Sequence, residues 1–586
     1  MITNRGLHVH ATARRSTTVT DEKGLTALDI ARKASLVPIA SVARDIGIAG
    51  DLLQPYGEYV AKIKLDAIEA LADRPKARYV VVTALTPTPL GEGKTTTTLG
   101  LAQGMHHVGR RATAAIRQSS MGPTFGIKGG AAGGGYSQAA PFEALNLHLT
   151  GDMHAVTAAH NTLSAILDNH LYQGNELGLD AASITWRRVL DVNDRVLRNI
   201  VVGLGTRQDG VPRQSGFDIT AASEVMAILA LATSLQDMRA RLGRIVVGFT
   251  SEGQPVTAEE LRGAGAMTVI MRDAIQPNLL QTLENTPVLV HAGPFGNIAH
   301  GNSSVIADLI GIHTGDYLIT EAGFGADMGA ERFFNIKCRV SGLVPDAAVI
   351  VTTVRALKAH SGAHRIVAGR SLPPALAEEH PDEVRAGGAN LRKQIENVLM
   401  HGVTPVVAIN AFPGDFASEY EAIHEIAASL GVRSAVSTHF RDGGAGATSL
   451  AEAVVEAAEE PSQFRFLYPV DAPLRQKIET IATRVYGADG IDIQPEAARS
   501  LDLFETNGLG NLPICIAKTH LSISSDPTLV GAPVGWRLPV REVRASAGAG
   551  FIYAICGDMR TMPGLGRHPA AEQIDIDDNG EVVGLY

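Results

Sequence analysis

Lys94 and Thr95 follow the run Thr86-Pro87-Thr88-Pro89-Leu90-Gly91-Glu92-Gly93 and precede Thr96, Thr97 and Thr98. An ammonium, a hydroxyl and two glycines at this spacing are the parts of a phosphate cradle. The glycines let backbone N–H groups approach an anion, the lysine adds a point charge, and the Thr95 hydroxyl can ligate Mg²⁺. The usual P-loop pattern has a glycine five places before Gly93, where this chain has Thr88. The match is therefore to a variant in which Gly91 and Gly93 supply the permissive backbone; the bland alternative is an ordinary strand–turn–helix.

A second group of residues suits an anion. Arg117 closes a short apolar run, and after it come Lys128, Gly129, Gly130, Gly133, Gly134, Gly135 and Tyr136. So many glycines carry a large entropic cost on ordering, which predicts a segment that wraps something small rather than a flexible linker. Third, Tyr317 to Glu321 reads as a strand ending in an acid, with Asp327 six residues on. Either Glu321 or Asp327 is a candidate for a magnesium ion or its waters, against a reading as surface acids. His148, His154, His160 and His170 are not spaced as ligands on one helical face and are read as structural. Asn410 to Asp415 has the outline of the guanine-selecting Asn-Lys-x-Asp motif but lacks its lysine.

These residues must be held by an alternation of strands and helices. Val80-Val81-Val82 is short and β-branched, as a buried parallel strand requires, and the residues after Thr95 continue as helix. Strands are expected at 112–116, 199–205, 244–248, 287–290, 317–321, 347–354 and 404–410, and helices over 152–171 and 219–235, the latter long and amphipathic. The polar, charged helical stretch 381–401 reads as an insertion or domain connection. Two short helices broken at Pro38 form a cap ahead of the first strand. Polar loops at strand ends, such as His291 to Ser304, fall where ligands sit in doubly wound sheets.

Composition narrows the function class. The 586 residues, 45 % hydrophobic and 19 % charged, fit a globular α/β protein of two or three domains, and no run approaches the ~18 apolar residues of a membrane span. A formal net charge of −10 argues against a nucleic-acid partner. The three cysteines, Cys338, Cys515 and Cys556, lie far apart, which points to a reducing cytosol. The first residues carry Arg5, Arg14 and Arg15 without an acid and read as a disordered leader rather than a transit peptide.

The stretches Thr86 to Thr96, Gly122 to Tyr136, Asn146 to Asp152, His291 to Ser304, Glu321 to Arg339, Asn410 to Asp415 and Thr561 to Asp577 together resemble the formate–tetrahydrofolate ligases. The resemblance spans about residues 25 to 586. It implies a cytoplasmic enzyme that joins formate to tetrahydrofolate with ATP, through formyl phosphate. The ATP site is then Thr86, Pro87, Thr88, Pro89, Leu90, Gly91, Glu92, Gly93, Lys94, Thr95 and Thr96, with Lys94 and Arg117 catalytic. Arg117, Lys128, Gly129 and Gly130 form the formyl phosphate loop, Phe412 and Phe440 sandwich the pterin, and Thr95 with Glu321 or Asp327 holds Mg²⁺. Two departures stand out: Gln118 replaces an acid after the arginine, and Phe440 replaces a tryptophan. Family members are commonly homotetramers stimulated by a monovalent cation. The implied architecture is a P-loop-containing, mostly parallel sheet flanked by helices, with smaller α/β domains. Its parts are a leader over 1–24, the nucleotide and formyl phosphate domain over 25–360, and a C-terminal α/β region over 361–586 that contributes the folate site. The rival reading is a P-loop switch ATPase or metallochaperone.

Overall fold

A computed structural model describes residues 24–128, 132–364, 366, 372–557 and 559–585. The expected leader, apart from Gly24, and Gly129 and Gly130 lie outside the described residues. The central sheet contains β1 (Leu53–Pro55), β2 (Ala61–Ile63), β3 (Arg78–Ala84), β4 (Ala112–Ile116), β5 (Asn278–Thr282), β6 (Pro287–Val290), β7 (Tyr317–Glu321), β8 (Ala347–Thr352), β9 (Thr404–Asn410) and β10 (Arg433–Ser437). Their spatial order is β1-β2-β5-β6-β4-β7-β3-β8-β9-β10. Pairing is parallel from β6 through β10 and antiparallel among β1, β2, β5 and β6. A hairpin of Gly133–Gly134 and Ser137–Ala140 joins this sheet at β5.

Strands buried on both faces need apolar side chains at every position, and alternate residues then enter opposite layers. Val80, Val82 and Ala84 pack on one side of β3, while Tyr79 and Val81 pack on the other. The helices that cover the sheet are α1 (Lys94–His107), α2 (Val305–Gly311), α3 (Val354–His360), α4 (Pro381–Leu399), α5 (Ala417–Ala428) and α6 (Thr448–Glu459). On the Val80 side lie Leu99, Leu101 and Met105 of α1 with Leu450 and Val454 of α6. On the Val81 side lie α2, α3, α4 and α5, through residues such as Ile306, Leu357, Ile395 and Ile423.

Near the C-terminus, α7 (Pro495–Thr506) and the strands β11 (Ile514–Ala517), β12 (Glu542–Ser546) and β13 (Phe551–Ile555) build a smaller three-stranded sheet with its own core. The expected division after residue 360 falls between β8 and β9, which are neighbours in one sheet. No helix among the described residues is long and apolar enough to cross a membrane.

Three local expectations are corrected. The helix expected over 219–235 is Glu224–Leu231, followed by a second helix Leu235–Gly243. Val225 to Leu231 are all buried, so this helix has no polar face, and Ser234 ends the run by accepting the Asp237 N–H to cap its successor. The strand expected at 244–248 is Val246–Phe249 and, among the described residues, pairs only with Pro255–Thr257. The stretch read as an insertion is α4, whose Leu391, Ile395 and Val398 are buried in the core that covers the sheet.

Candidate active site

The turn between β3 and α1 is held from three sides. Gly91 and Gly93 have φ of +75° and +77°, in the left-handed region where a side chain is strained. A Cβ on Gly93 would also lie 2.6 Å from Asn410 Nδ2, the group that donates to the Glu92 carbonyl at 3.0 Å. Glu92 folds back into the turn and accepts from the Thr88 N–H at 2.7 Å and the Thr88 hydroxyl at 3.1 Å. Burial raises its carboxyl pKa above the ordinary range, against the pull of Lys94. Lys94 Nζ lies 3.8 Å from Glu92 Oε2; burial lowers the ammonium pKa, and Glu92 and Glu321 oppose that shift.

Where the turn begins, amides replace glycines. The Thr86 N–H donates to Asn390 Oδ1 at 3.0 Å, while the Thr86 hydroxyl accepts from Asn390 Nδ2 at 2.8 Å and Gln394 Nε2 at 2.9 Å. His360 at the end of α3 donates to the Thr86 carbonyl at 2.8 Å. The turn is thereby fixed at both ends before any ligand arrives.

Arg117 and Thr95 converge on Glu321. The Thr95 hydroxyl donates to Glu321 Oε2 at 2.7 Å, and the Arg117 backbone N–H and Nε both donate to Oε1 at 3.4 Å. Strand order explains the meeting: β7 runs between β4 and β3, so the acid ending it faces both the residue after β4 and the helix after β3. Arg117 also donates to the Pro294 carbonyl at 3.3 Å, tying in the loop after β6. Asp327 is placed differently. It is buried against Lys518 at 2.9 Å and accepts from Gln394 at 3.0 Å. Gln118 donates its backbone N–H to Ala292 at 2.7 Å, and its buried side-chain oxygen has no partner among the described residues.

The glycine hairpin lies on α1. A Cβ on Gly133 would meet Leu99 at 3.0 Å, and one on Gly134 would lie 3.8 Å from the Thr96 hydroxyl oxygen. Phe440 fills the other side: its carbonyl accepts from the Tyr136 N–H at 2.9 Å, and a Cβ on Gly135 would lie 2.0 Å from that oxygen. The neighbouring His439 is buried between the Ser437 hydroxyl at 2.8 Å and the Thr97 hydroxyl at 3.3 Å, with burial lowering its pKa to about 4. Phe412 extends from the same sheet edge, its ring 3.9 Å from the Arg355 guanidinium. No ring-to-ring contact joins Phe412 to Phe440 among the described residues.

The sequence matches a known family over almost its full length. The family model described as "Formate--tetrahydrofolate ligase" matches residues 25–586. The chain belongs to the formate–tetrahydrofolate ligase family. It is similar to the formate–tetrahydrofolate ligase of Saccharopolyspora erythraea, with 72 % identity over 95 % of this chain and 99 % of the relative. Formate–tetrahydrofolate ligase 3 of Rubrobacter xylanophilus is 68 % identical over 96 % of this chain and all of its own length, and the Cutibacterium acnes ligase 64 % over 95 % and 99 %.

Within this ligase fold the structure brings together Thr86 to Thr96, Arg117, Glu321, Phe440 and the Gly133–Gly134 hairpin. Lys128 ends a single wide helical turn, Thr124–Lys128, just before the undescribed Gly129 and Gly130. No cluster of three or more His, Cys, Asp or Glu suited to a metal ion occurs among the described residues. His148 and His154 contact each other at 2.8 Å, and His160 stacks on Trp186. His291 binds Ser304 and the Ala274 carbonyl, each at 2.7 Å, and bolts down the base of its loop.

Sequence reasoning missed Asn390, Gln394, His360 and His439, and gave Asn410 no part in holding the turn, reading its stretch only as a failed guanine signal and as part of the family resemblance. A usable sign was present in α4: Asn390, Gln394 and Asn397 recur at helical spacing beside Leu391, Ile395 and Val398. Amides repeated on an apolar face of a helix mark polar groups that must find buried partners.

Proposed function

We propose that the turn 86–96 is a variant P-loop for ATP and that the pocket beside it makes and transfers a formyl group, giving 10-formyltetrahydrofolate, ADP and phosphate. One observation carries this reading: Thr95, Arg117 and Glu321 meet at the carboxyl ends of three neighbouring central strands, beside a glycine hairpin packed against Phe440.

A formate oxygen attacks the γ-phosphorus as the bond to ADP breaks. N10 of tetrahydrofolate then attacks the formyl carbon, phosphate leaves with its electron pair, and the nitrogen loses its proton. Formate is a poor electrophile because its charge repels a nucleophile; phosphorylation supplies a stable leaving group. Backbone N–H groups of Gly91 to Thr95 and the Lys94 ammonium hold the β- and γ-phosphates. The planar fork of Arg117 clamps the formyl phosphate, with Lys128, Gly129 and Gly130 completing the loop. Phe412 and Phe440 hold the pterin by stacking, with less area at Phe440 than a tryptophan offers.

The Thr95 hydroxyl and the Glu321 carboxylate fit Mg²⁺, which takes oxygen ligands from one or two carboxylates plus phosphates and waters. When bound, the ion neutralises phosphate charge. Asp327 suits this role less well, since Lys518 and Gln394 already occupy its oxygens. The reading extends to a cytoplasmic homotetramer stimulated by a monovalent cation, which light scattering and a K⁺ titration test.

The decisive assay incubates the protein with MgATP, formate and tetrahydrofolate, acidifies, and reads the methenyl absorbance in the near ultraviolet. Absorbance that requires all three substrates is the expected result. ATP turnover indifferent to formate and folate would instead identify a nucleotide-driven switch.

A further inference from the structure

The chain between Arg117 and Lys128 leaves the central sheet, and hydrogen bonds fix its path almost residue by residue. The Gln118 N–H donates to the Ala292 carbonyl at 2.7 Å, and the Ser119 hydroxyl donates to the Leu145 carbonyl, also at 2.7 Å. Beyond Ser119 the support changes. The Ser120 hydroxyl donates to Asp191 Oδ1, and the Met121 N–H donates to Asp191 Oδ2 at 3.0 Å. Asp191 is only 5 % exposed. Met121–Pro123 is a single helical turn whose N-cap, Ser120, makes no capping bond with its own side chain. Asp191, 70 residues further along the chain, caps that turn from outside.

A second side chain from the same segment shapes the rest of the loop. Asn193 is buried, and a Cβ on Gly122 would lie 2.8 Å from its Oδ1, one on Gly126 2.1 Å from its Nδ2. Glycine at both positions lets the loop lie this close to Asn193 without displacing its amide. The segment itself has a firm seat. Strand Arg188–Leu190 leads into Asp191 and pairs in parallel with Phe217–Ile219. Asn161, on the helix Asp152–Tyr172, accepts from the Val189 N–H and donates to the Val189 carbonyl, both at 2.9 Å. Ser164, one turn on, donates to the Arg187 carbonyl at 2.8 Å. An amide that satisfies both backbone groups of one residue fixes the register of that strand, and with it the place of Asp191.

Resting on the formyl-transfer reading of the Arg117 site, we propose that Asp191 is a positioning residue for the reaction. It acts through the Ser120–Met121 turn and not on the reacting atoms. By holding that turn it sets the path of the loop with Arg117 at one end and Lys128 at the other, the groups read as the clamp on formyl phosphate. Rates depend steeply on such placement, since an error of about 1 Å can cost about a hundredfold.

Three variants of the full chain test the assignment. Asp191→Ala removes both acceptors. Asp191→Asn can remake both bonds, its oxygen accepting from the Met121 N–H and its NH₂ donating to the Ser120 hydroxyl oxygen. Ser120→Ala deletes one bond with the buried carboxyl left in place, and carries the test if Asp191→Ala does not fold. We expect the KM for formate to rise at least about tenfold in Asp191→Ala and about threefold in Ser120→Ala, with Asp191→Asn recovering most of the loss. MgATP affinity, measured directly, should stay within about twofold of wild type in all three. Hydrogen exchange read by mass spectrometry is independent of turnover: the peptide 118–126 should exchange faster in Asp191→Ala and Ser120→Ala, and at the wild-type rate in Asp191→Asn.

An unchanged formate KM in Asp191→Ala and Ser120→Ala overturns the assignment, as does unaltered exchange. Equal damage in Asp191→Asn and Asp191→Ala would show that charge and not placement matters, and parallel losses of ATP affinity would show general damage; either overturns it too. A wild type without formate-dependent product would instead refute the formyl-transfer reading, and the exchange comparison then still decides whether Asp191 holds the loop.

Discussion

Glu321 and Asp327 stand six residues apart at and beyond the end of β7, both as buried carboxylates, 4 % and 1 % exposed. Their surroundings differ in kind. Glu321 meets a neutral hydroxyl and an arginine whose side chain is 27 % exposed, at the carboxyl end of a central strand. Asp327 meets Lys518, whose side chain is fully buried and comes from the far end of the chain. A carboxylate held by weak or exposed partners retains lone pairs for a cation, whereas one locked to a buried ammonium is bound into the fold. Two acids that look alike in sequence therefore meet different partners, and on the proposed reading one serves chemistry and the other stability.

The comparison can be broken from either side. The largest effect is expected from Lys94→Ala, which removes the charge beside Glu92 in the turn: ADP formation should fall about a thousandfold in steady-state assays, with thermal stability little changed. Asp327→Asn should act the opposite way. It leaves the Lys518 ammonium buried without its counter-charge, so chemical denaturation should report a loss of about 3–5 kcal/mol while the Mg²⁺ dependence of the surviving activity stays put. If Asp327→Asn instead moved only the Mg²⁺ dependence, the division between the two acids would be wrong.

Arg117→Ala sharpens the chemical side. Product formation should drop about a hundredfold, with ATP affinity nearly intact in a direct binding measurement; unchanged turnover would remove Arg117 from the reaction. Glu321→Gln keeps the Thr95 contact in shape but not in charge, and the Mg²⁺ concentration for half-activity should rise about 10–100-fold.

The smallest effect concerns the histidines that brace the site. His291 and His439 are held near pKa 4 by burial, below the ordinary 6.5. The folded state then binds fewer protons than the unfolded one, so their contribution is complete above pH 6.5 and is lost as pH falls toward 4. At pH 5 each should withdraw about 2 kcal/mol, and calorimetry should record a lower melting temperature than at pH 8. An unchanged melting temperature would mean that neither ring is held neutral.

Much of the central sheet was legible because burial on two faces imposes a local signature. Val80 to Val82, Ala112 to Ile116 and Ala347 to Thr352 announce themselves by β-branched and small apolar residues in short runs. Helix α4 was legible as a helix but not as the support of the Thr86 turn, because charges on its outer face concealed the amide stripe that turns inward to Thr86. The 219–235 stretch failed for the opposite reason: with no polar face, periodicity could not show where one helix stops and the next begins.

Sequence alone determined the parts of the proposed anion cradle, since a glycine that permits left-handed backbone, a lysine and a threonine act through neighbours in the chain. It also determined family membership, through long stretches whose joint agreement is not a matter of chance. Tertiary structure decided which acid meets Thr95 and Arg117 and which amides hold Thr86. The reason is geometric. Placing β7 between β4 and β3 brings Glu321 to Thr95 and Arg117, partners 226 and 204 residues away, and no local pattern encodes the order of strands in a sheet.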